Sequence, residues 1–109
     1  MFHMLSCFNL KPEFSVAEFR QSVAEFTSNL ENIDLVQSTG PIGRRQSNTI
    51  MDTDNERDHE YFFIMSFRDR AQCDRAAEYV FSHEEPGESI HKSVYAMVAD
   101  PIFICWEDI

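Results

Sequence analysis

Four histidines, His3, His59, His83 and His91, are the side chains of this chain whose ordinary ionisation lies near neutrality. An imidazole in a pocket can accept a proton in aldol or proton-transfer chemistry, and a tyrosine hydroxyl can hold a carbonyl oxygen. Each histidine also has a plainer reading. His3 fits a strand-end histidine bonded to backbone. His59 and His83 stand among acids and fit solvated positions. His91 and Tyr95 fall on the flank of a helical stripe made by Ile90, Val94 and Met97.

His83, Glu84, Glu85, Glu88 and His91 are ligand types close together in sequence. Pro86-Gly87 divides them, so no i, i+4 pair on one helix presents them to an ion. An acidic, solvated turn is the expectation, and no metal site is expected. A haem would want one histidine in a cavity, and nothing singles one out; no cofactor is expected. Arg44 and Arg45 are the paired bases. They could clamp a carboxylate or reach an acidic helix of a second subunit, but a solvated loop is expected. Cys7, Cys73 and Cys105 are odd in number and lack a C-x-x-C spacing, which fits free, buried thiols.

The bulk numbers exclude several partners. The 109 residues suit a single domain, 1–109, and 43% hydrophobic content is ample for a core. The formal net charge is −10. Residues 51–109 carry fourteen acids against five bases, while residues 1–50 are nearly balanced. Such a chain repels phosphate backbones and anionic lipid surfaces, so neither nucleic acid nor a membrane is expected as a partner. The opening M-F-H-M-L-S-C-F-N-L lacks a basic segment and a small-residue cleavage site, so it reads as a strand and the cytoplasm is the default location.

The elements that must position these side chains follow from periodicity. Y-F-F-I-M-S-F, residues 61–67, is a short aromatic run bounded by charges, and it reads as a strand. Tyr61, Phe63, Met65 and Phe67 share one face; Phe62, Ile64 and Ser66 share the other. Phe2 to Leu10 also reads as a strand with two mostly apolar faces. Ser15 with Glu18 forms a capping box, and Val16, Phe19, Val23, Phe26 and Leu30 make a helical stripe. A second strand is expected over about 33–38. The polar stretch from 42 to 58 is expected to be part hairpin, with Ile42 and Ile50-Met51 continuing the strands, and part mobile tip. Asp69 with Gln72 caps a second helix to about Ser82, with Cys73, Ala76, Ala77, Val80 and Phe81 inward. A third helix is expected over about 88–98, with Ile90, Val94, Met97 and Val98 inward, stopped by Asp100-Pro101, and a last strand over 102–107.

This order, β-α-β then β-α-α-β, predicts an α+β, ferredoxin-like fold: a four-stranded antiparallel sheet with helices on one face. The other face would be a large apolar patch, which a soluble monomer rarely tolerates. A homodimer packed sheet to sheet is expected.

In element order and lengths nearly the whole chain resembles the stress-responsive α/β-barrel (Dabb) group of the dimeric α+β barrel superfamily. His3 in the first strand, Y-F-F-I-M-S-F-R-D after residue 60, and Tyr79…His83-Glu84-Glu85…His91 carry the resemblance. It implies a barrel of two subunits, each with a small-molecule pocket between helices and sheet. It implies Tyr79 and His91 as an acid–base pair like that of the group's polyketide cyclases, with His3 lining the pocket and Tyr61 at a position that can hold a further histidine. His3, Tyr61 and Phe63 are the expected substrate-binding residues. The function expected is binding of a small apolar or aromatic metabolite, with cofactor-free, cyclase-like acid–base catalysis. The alternatives are a non-catalytic stress-related or regulatory binding module, and monooxygenase-like or haem-linked activity.

Overall fold

The computed structural model describes residues 1–109. Its elements are β1 (Phe2–Leu10), α1 (Val16–Asn32), β2 (Ser38–Thr39), β3 (Gly43–Arg44), β4 (Tyr61–Phe67), α2 (Arg70–Val80), α3 (Gly87–Tyr95) and β5 (Val98–Glu107). The sheet order is β2-β4-β1-β5, antiparallel at every pairing, with β3 also on β4. This is the ferredoxin-like α+β fold.

The four expected strands become five because the strand beside β4 is broken. Gly40 N donates to Ile64 O at 2.9 Å, and Pro41, next in the chain, has no N–H to offer. The pairing resumes only at Gly43 opposite Phe62. The strand also starts later than the expected residue 33. Ile33 closes α1, Asp34 takes a left-handed conformation (φ 57°), and Leu35 N bonds back to Leu30 O at 2.8 Å. The chain first meets β4 where Gln37 N donates to Ser66 O.

Both helix starts are set locally. Ser15 Oγ accepts from Glu18 N at 3.1 Å, and Asp69 Oδ1 accepts from Gln72 N at 2.8 Å. Phe19, Val23 and Leu30 of α1 are buried against Phe8, Phe63, Met65 and Phe67 of the sheet. Ala76 of α2 joins them, its small side chain letting that helix approach closely. α2 ends at Val80, two residues early, and His83 follows in the left-handed region (φ 62°). α3 packs on both other helices.

Burial along β4 alternates, with Tyr61, Phe63, Met65 and Phe67 covered. Their face is therefore the helix side. The register puts Met4 beside Met65 and Ser6 beside Phe63 on this side. The opposite face carries His3–Ser66–Trp106, Leu5–Ile64–Ile104 and Cys7–Phe62–Ile102 in rows across β1, β4 and β5. No helix covers these rows.

β5 begins four residues earlier than expected, at Val98, and runs through Asp100-Pro101. An edge strand tolerates a proline because its outward N–H has no ladder partner to lose. Asp100 is left-handed (φ 54°) where the β1–β5 register shifts between Cys7 and Asn9, as a bulge requires.

The connection from 45 to 60 folds back instead of extending the hairpin. Ile50 and Met51 do not continue a strand; they are 93% and 85% exposed. Arg45 organises the loop. It grips the Asp52 carboxylate with Nε and Nη2 (2.8 and 2.7 Å), donates to Asp54 O at 2.8 Å, and donates to Arg57 O. His59 is buried, its Nε2 donating to Asp100 O at 2.7 Å, while Glu60 N donates to Asn9 Oδ1 at 2.8 Å. The loop thus ties down over the Cys7 end of the open sheet face. Cys7 is buried there, and burial pushes its thiol pKa up.

Candidate functional site

Between the helix side of the sheet and the three helices lies a cavity of about 490 Å³. That is within the usual range for small-molecule sites. The sheet contributes Met4, Ser6, Phe63 and Phe103 among others; α1 contributes Phe26, and α3 contributes His91 and Tyr95. None of the lining residues is an acid, a lysine or an arginine. Phe81, Tyr95 and Phe103 line it and are also mostly solvent-exposed, so they form its rim.

His91 is the cavity's one imidazole. Its ring sits among Phe26 (5.6 Å between centroids), Phe81 (5.8 Å, edge-on) and Tyr95 (5.0 Å). Burial among these rings lowers its pKa from the ordinary 6.5, because desolvation disfavours the imidazolium. The neutral ring is the form present at neutral pH, and it has no hydrogen-bond partner within the chain.

The two α3 side chains read from sequence as flanking turn out to face the cavity. α3 starts at Gly87 and docks on α1, with Ser93 Oγ donating to Ser22 Oγ at 3.0 Å. That docking turns His91, Val94 and Tyr95 toward the sheet. Of the expected inward set Ile90, Val94, Met97 and Val98, Val94 and Val98 line the cavity, Val98 from the start of β5. Tyr95 was legible in one respect: it stands four residues from His91, on the same helical face.

Of the other residues singled out from sequence, Phe63 lines the cavity and three do not. Tyr79 is partly buried against the core, and its hydroxyl accepts from Asn29 Nδ2 at 2.9 Å. Tyr61 is buried and does not line the cavity; its ring stacks on Phe8 (5.8 Å), and Arg44 lies over the ring at 5.6 Å from its centre. His3 is on the open sheet face. Its Nε2 donates to Asp108 Oδ1 at 2.9 Å, Nδ1 is hydrogen-bonded to the Ser66 hydroxyl at 2.8 Å, and Trp106 stacks on the ring. This contact holds Asp108 below the usual carboxylate range and ties the C-terminal strand to β1.

The charged candidates are spent on the fold. Arg45 is taken up by Asp52, and Arg44 by Glu60 and Tyr61. A wholly polar hollow of about 350 Å³ lies in the loop beside Arg57, Asp58 and His59, but its guanidinium groups are already paired with Asp52 and Asp54. His83 Nδ1 pairs with Glu88 at 3.1 Å, away from His91. No three His, Cys, Asp or Glu side chains come together as metal ligands, and no helix is long and apolar enough to cross a membrane.

The chain is thus a ferredoxin-like α+β protein with a cavity between its helices and its sheet. Residues 1–106 match the model of DUF6614, a family of unknown function, and the chain belongs to that family. No curated protein matches it in sequence. Among solved structures it is similar to At3g17210 from Arabidopsis thaliana (TM-score 0.74, 10% identity, covering 100% of this chain and 96% of that one). It is also similar to a dimeric ferredoxin-like protein of unknown function from Jannaschia sp. CCS1 (TM-score 0.66, 13% identity, 98% of each chain). A Dabb family protein from Mesorhizobium loti shares the fold too (TM-score 0.61, 16% identity, 99% and 96% covered).

Proposed function

We propose that this protein binds a small apolar or aromatic metabolite in the helix–sheet cavity, and that His91 serves there as a cofactor-free base. The observation that carries the reading is the combination of an uncharged cavity of about 490 Å³ with one neutral, unpartnered imidazole. A neutral base in an apolar site takes a proton without first shedding a hydration shell. The Tyr79 hydroxyl is committed to Asn29, so the hydroxyl of Tyr95, beside His91, is the proposed proton donor or carbonyl holder.

The working unit in this reading is a homodimer. Leu5, Ile64, Ile104 and Trp106 make an apolar face that no helix of the chain covers, and the Jannaschia relative with this fold is a dimer. A monomeric mass by light scattering at micromolar concentration would remove that part of the proposal.

Catalysis is tested with 5-nitrobenzisoxazole, a neutral bicyclic probe. Removal of its C3 proton by a base breaks the ring N–O bond and releases a coloured cyanophenolate. The expected result is a saturable rate that His91→Ala abolishes. Saturable binding with no His91-dependent rate would leave a non-catalytic binding module. That second reading draws support from the engagement of the Tyr79 hydroxyl with Asn29 and from its absence from the cavity lining.

A further inference from the structure

Ser6 is the polar residue of the cavity that no sequence reading singled out. It lies in β1 between Met4 and Phe8 on the helix side, opposite Phe63 in β4 and Phe103 in β5. The residue is 9% exposed, and its hydroxyl has no hydrogen-bond partner within the chain. The oxygen opens onto a cavity walled by methionine and phenylalanine, so only what fills the cavity can bond it, and an occupant that leaves it dry is costly. Valine or alanine would fill the same strand position without that cost.

The hydrogen-bonding groups offered to a ligand stand on two walls. Ser6 is on the sheet; His91 and Tyr95 are on α3. No cation lines the cavity, so an ionised carboxylate entering it would lose its hydration with nothing to balance the charge. A pure hydrocarbon would leave the Ser6 hydroxyl dry and unpaired.

Resting on the binding reading above, we infer that Ser6 is a second anchor of the cavity, selecting uncharged hydrophobes that carry a hydroxyl or carbonyl oxygen. Ser6 discriminates against the matching hydrocarbon, while the absence of a cation in the lining discriminates against the matching carboxylate. Ser6 acts here as a specificity determinant; it takes no part in proton transfer.

The test uses the full chain and displacement of the neutral fluorophore Nile red. The displacers are 1-naphthol, 1-methylnaphthalene and 1-naphthoate, which share one apolar body and differ in a single group. The wild-type protein is expected to prefer 1-naphthol by about tenfold over each of the others, the value of one satisfied hydrogen bond. Ser6→Ala is expected to lose that preference over 1-methylnaphthalene while binding the latter within about twofold of wild type. Ser6→Thr, which keeps the hydroxyl, should retain it. If Ser6→Ala keeps the preference and His91→Ala loses it, the anchor is His91 and the inference falls while the binding site stands. If wild type shows no preference, the inference likewise falls. If Nile red does not bind at all, the cavity reading itself is wrong.

Discussion

The hydroxyl of Tyr79 accepts a hydrogen bond from Asn29 Nδ2 at 2.9 Å, joining α2 to α1 across fifty residues of sequence. The same ring lies against Gly87 at the start of α3. One side chain therefore holds three helices in register above the cavity. This relationship gives Tyr79 contacts to both neighbouring helices, and it sets the first two predictions.

Tyr79→Phe keeps the ring and removes one partly buried hydrogen bond. It should lower stability by about 0.5–1.5 kcal/mol. Nile red affinity and the His91-dependent rate should both persist. Loss of the rate with binding intact would return Tyr79 to a catalytic role.

Gly87→Ala should destabilise the protein through contact with that ring. A Cβ at 87 would sit 2.6 Å from Tyr79 Cζ and 2.7 Å from its Oη. The ring tip cannot swing away without breaking its bond to Asn29. A cost of about 1–3 kcal/mol is expected from overpacking, against a helix-propensity gain for alanine of up to about 1 kcal/mol. In a Tyr79→Leu background most of the cost should vanish. An equal cost in both backgrounds, measured by urea denaturation, would mean that the clash is not with Tyr79.

Gln72 is fully buried, and both ends of its amide are used. Oε1 accepts from Arg68 N at 2.7 Å, and Nε2 donates to Asp34 O at 3.1 Å. Gln72→Leu matches the volume but strands two backbone groups. A loss of about 2–4 kcal/mol is expected. A loss under about 0.5 kcal/mol would show that water or a backbone shift satisfies them.

Acid should release the 45–60 loop in a defined window. The Arg57 guanidinium, helped by the Glu56 N–H, lowers the Asp54 pKa from 3.8 to about 2. A carboxylate depressed in the folded state contributes stability above its ordinary pKa, and that contribution fades as pH falls through the folded value. The window is thus from about pH 4 down to about 2. A carboxyl NMR titration should place the Asp54 midpoint near 2 in wild type and closer to 3.8 in Arg57→Ala. A wild-type midpoint near 3.8 would show that the ion pair does not persist in solution.

What could be read from the residues, and what could not, divides by range. Ser15 and Asp69 were recognisable caps because each bonds a backbone N–H three residues away. The Phe19–Val23–Leu30 stripe and the alternation in β4 were equally plain, since each repeats within one turn or one pleat. Gln72 was legible only in part. Its N–H meets Asp69 as a cap predicts, but its side chain goes to Arg68 and Asp34.

The site was harder to read. Alternation says that Ser6 and Phe63 lie on alternate-residue faces, yet not which face meets the helices. His3 and His91 look alike as sequence symbols. One became a clasp to Asp108 on the open sheet face, and the other an imidazole without a partner in the cavity. Pro101 looked like a stop because proline breaks most ladders; only β5's place at the sheet edge makes it harmless.

By itself the sequence determined the elements, their order, the apolar surfaces they must bury and the helix caps, because those depend on contacts between near neighbours. The tertiary structure decided which strand face became the cavity wall and how far α3 is turned about its own axis. It also decided which polar groups were left without partners. Those outcomes depend on contacts such as Tyr79–Asn29 and Ser93–Ser22, fifty and seventy-one residues apart in sequence. On a helix a one-residue error in facing is a rotation of roughly 100°, enough to move an imidazole from the flank into the cavity.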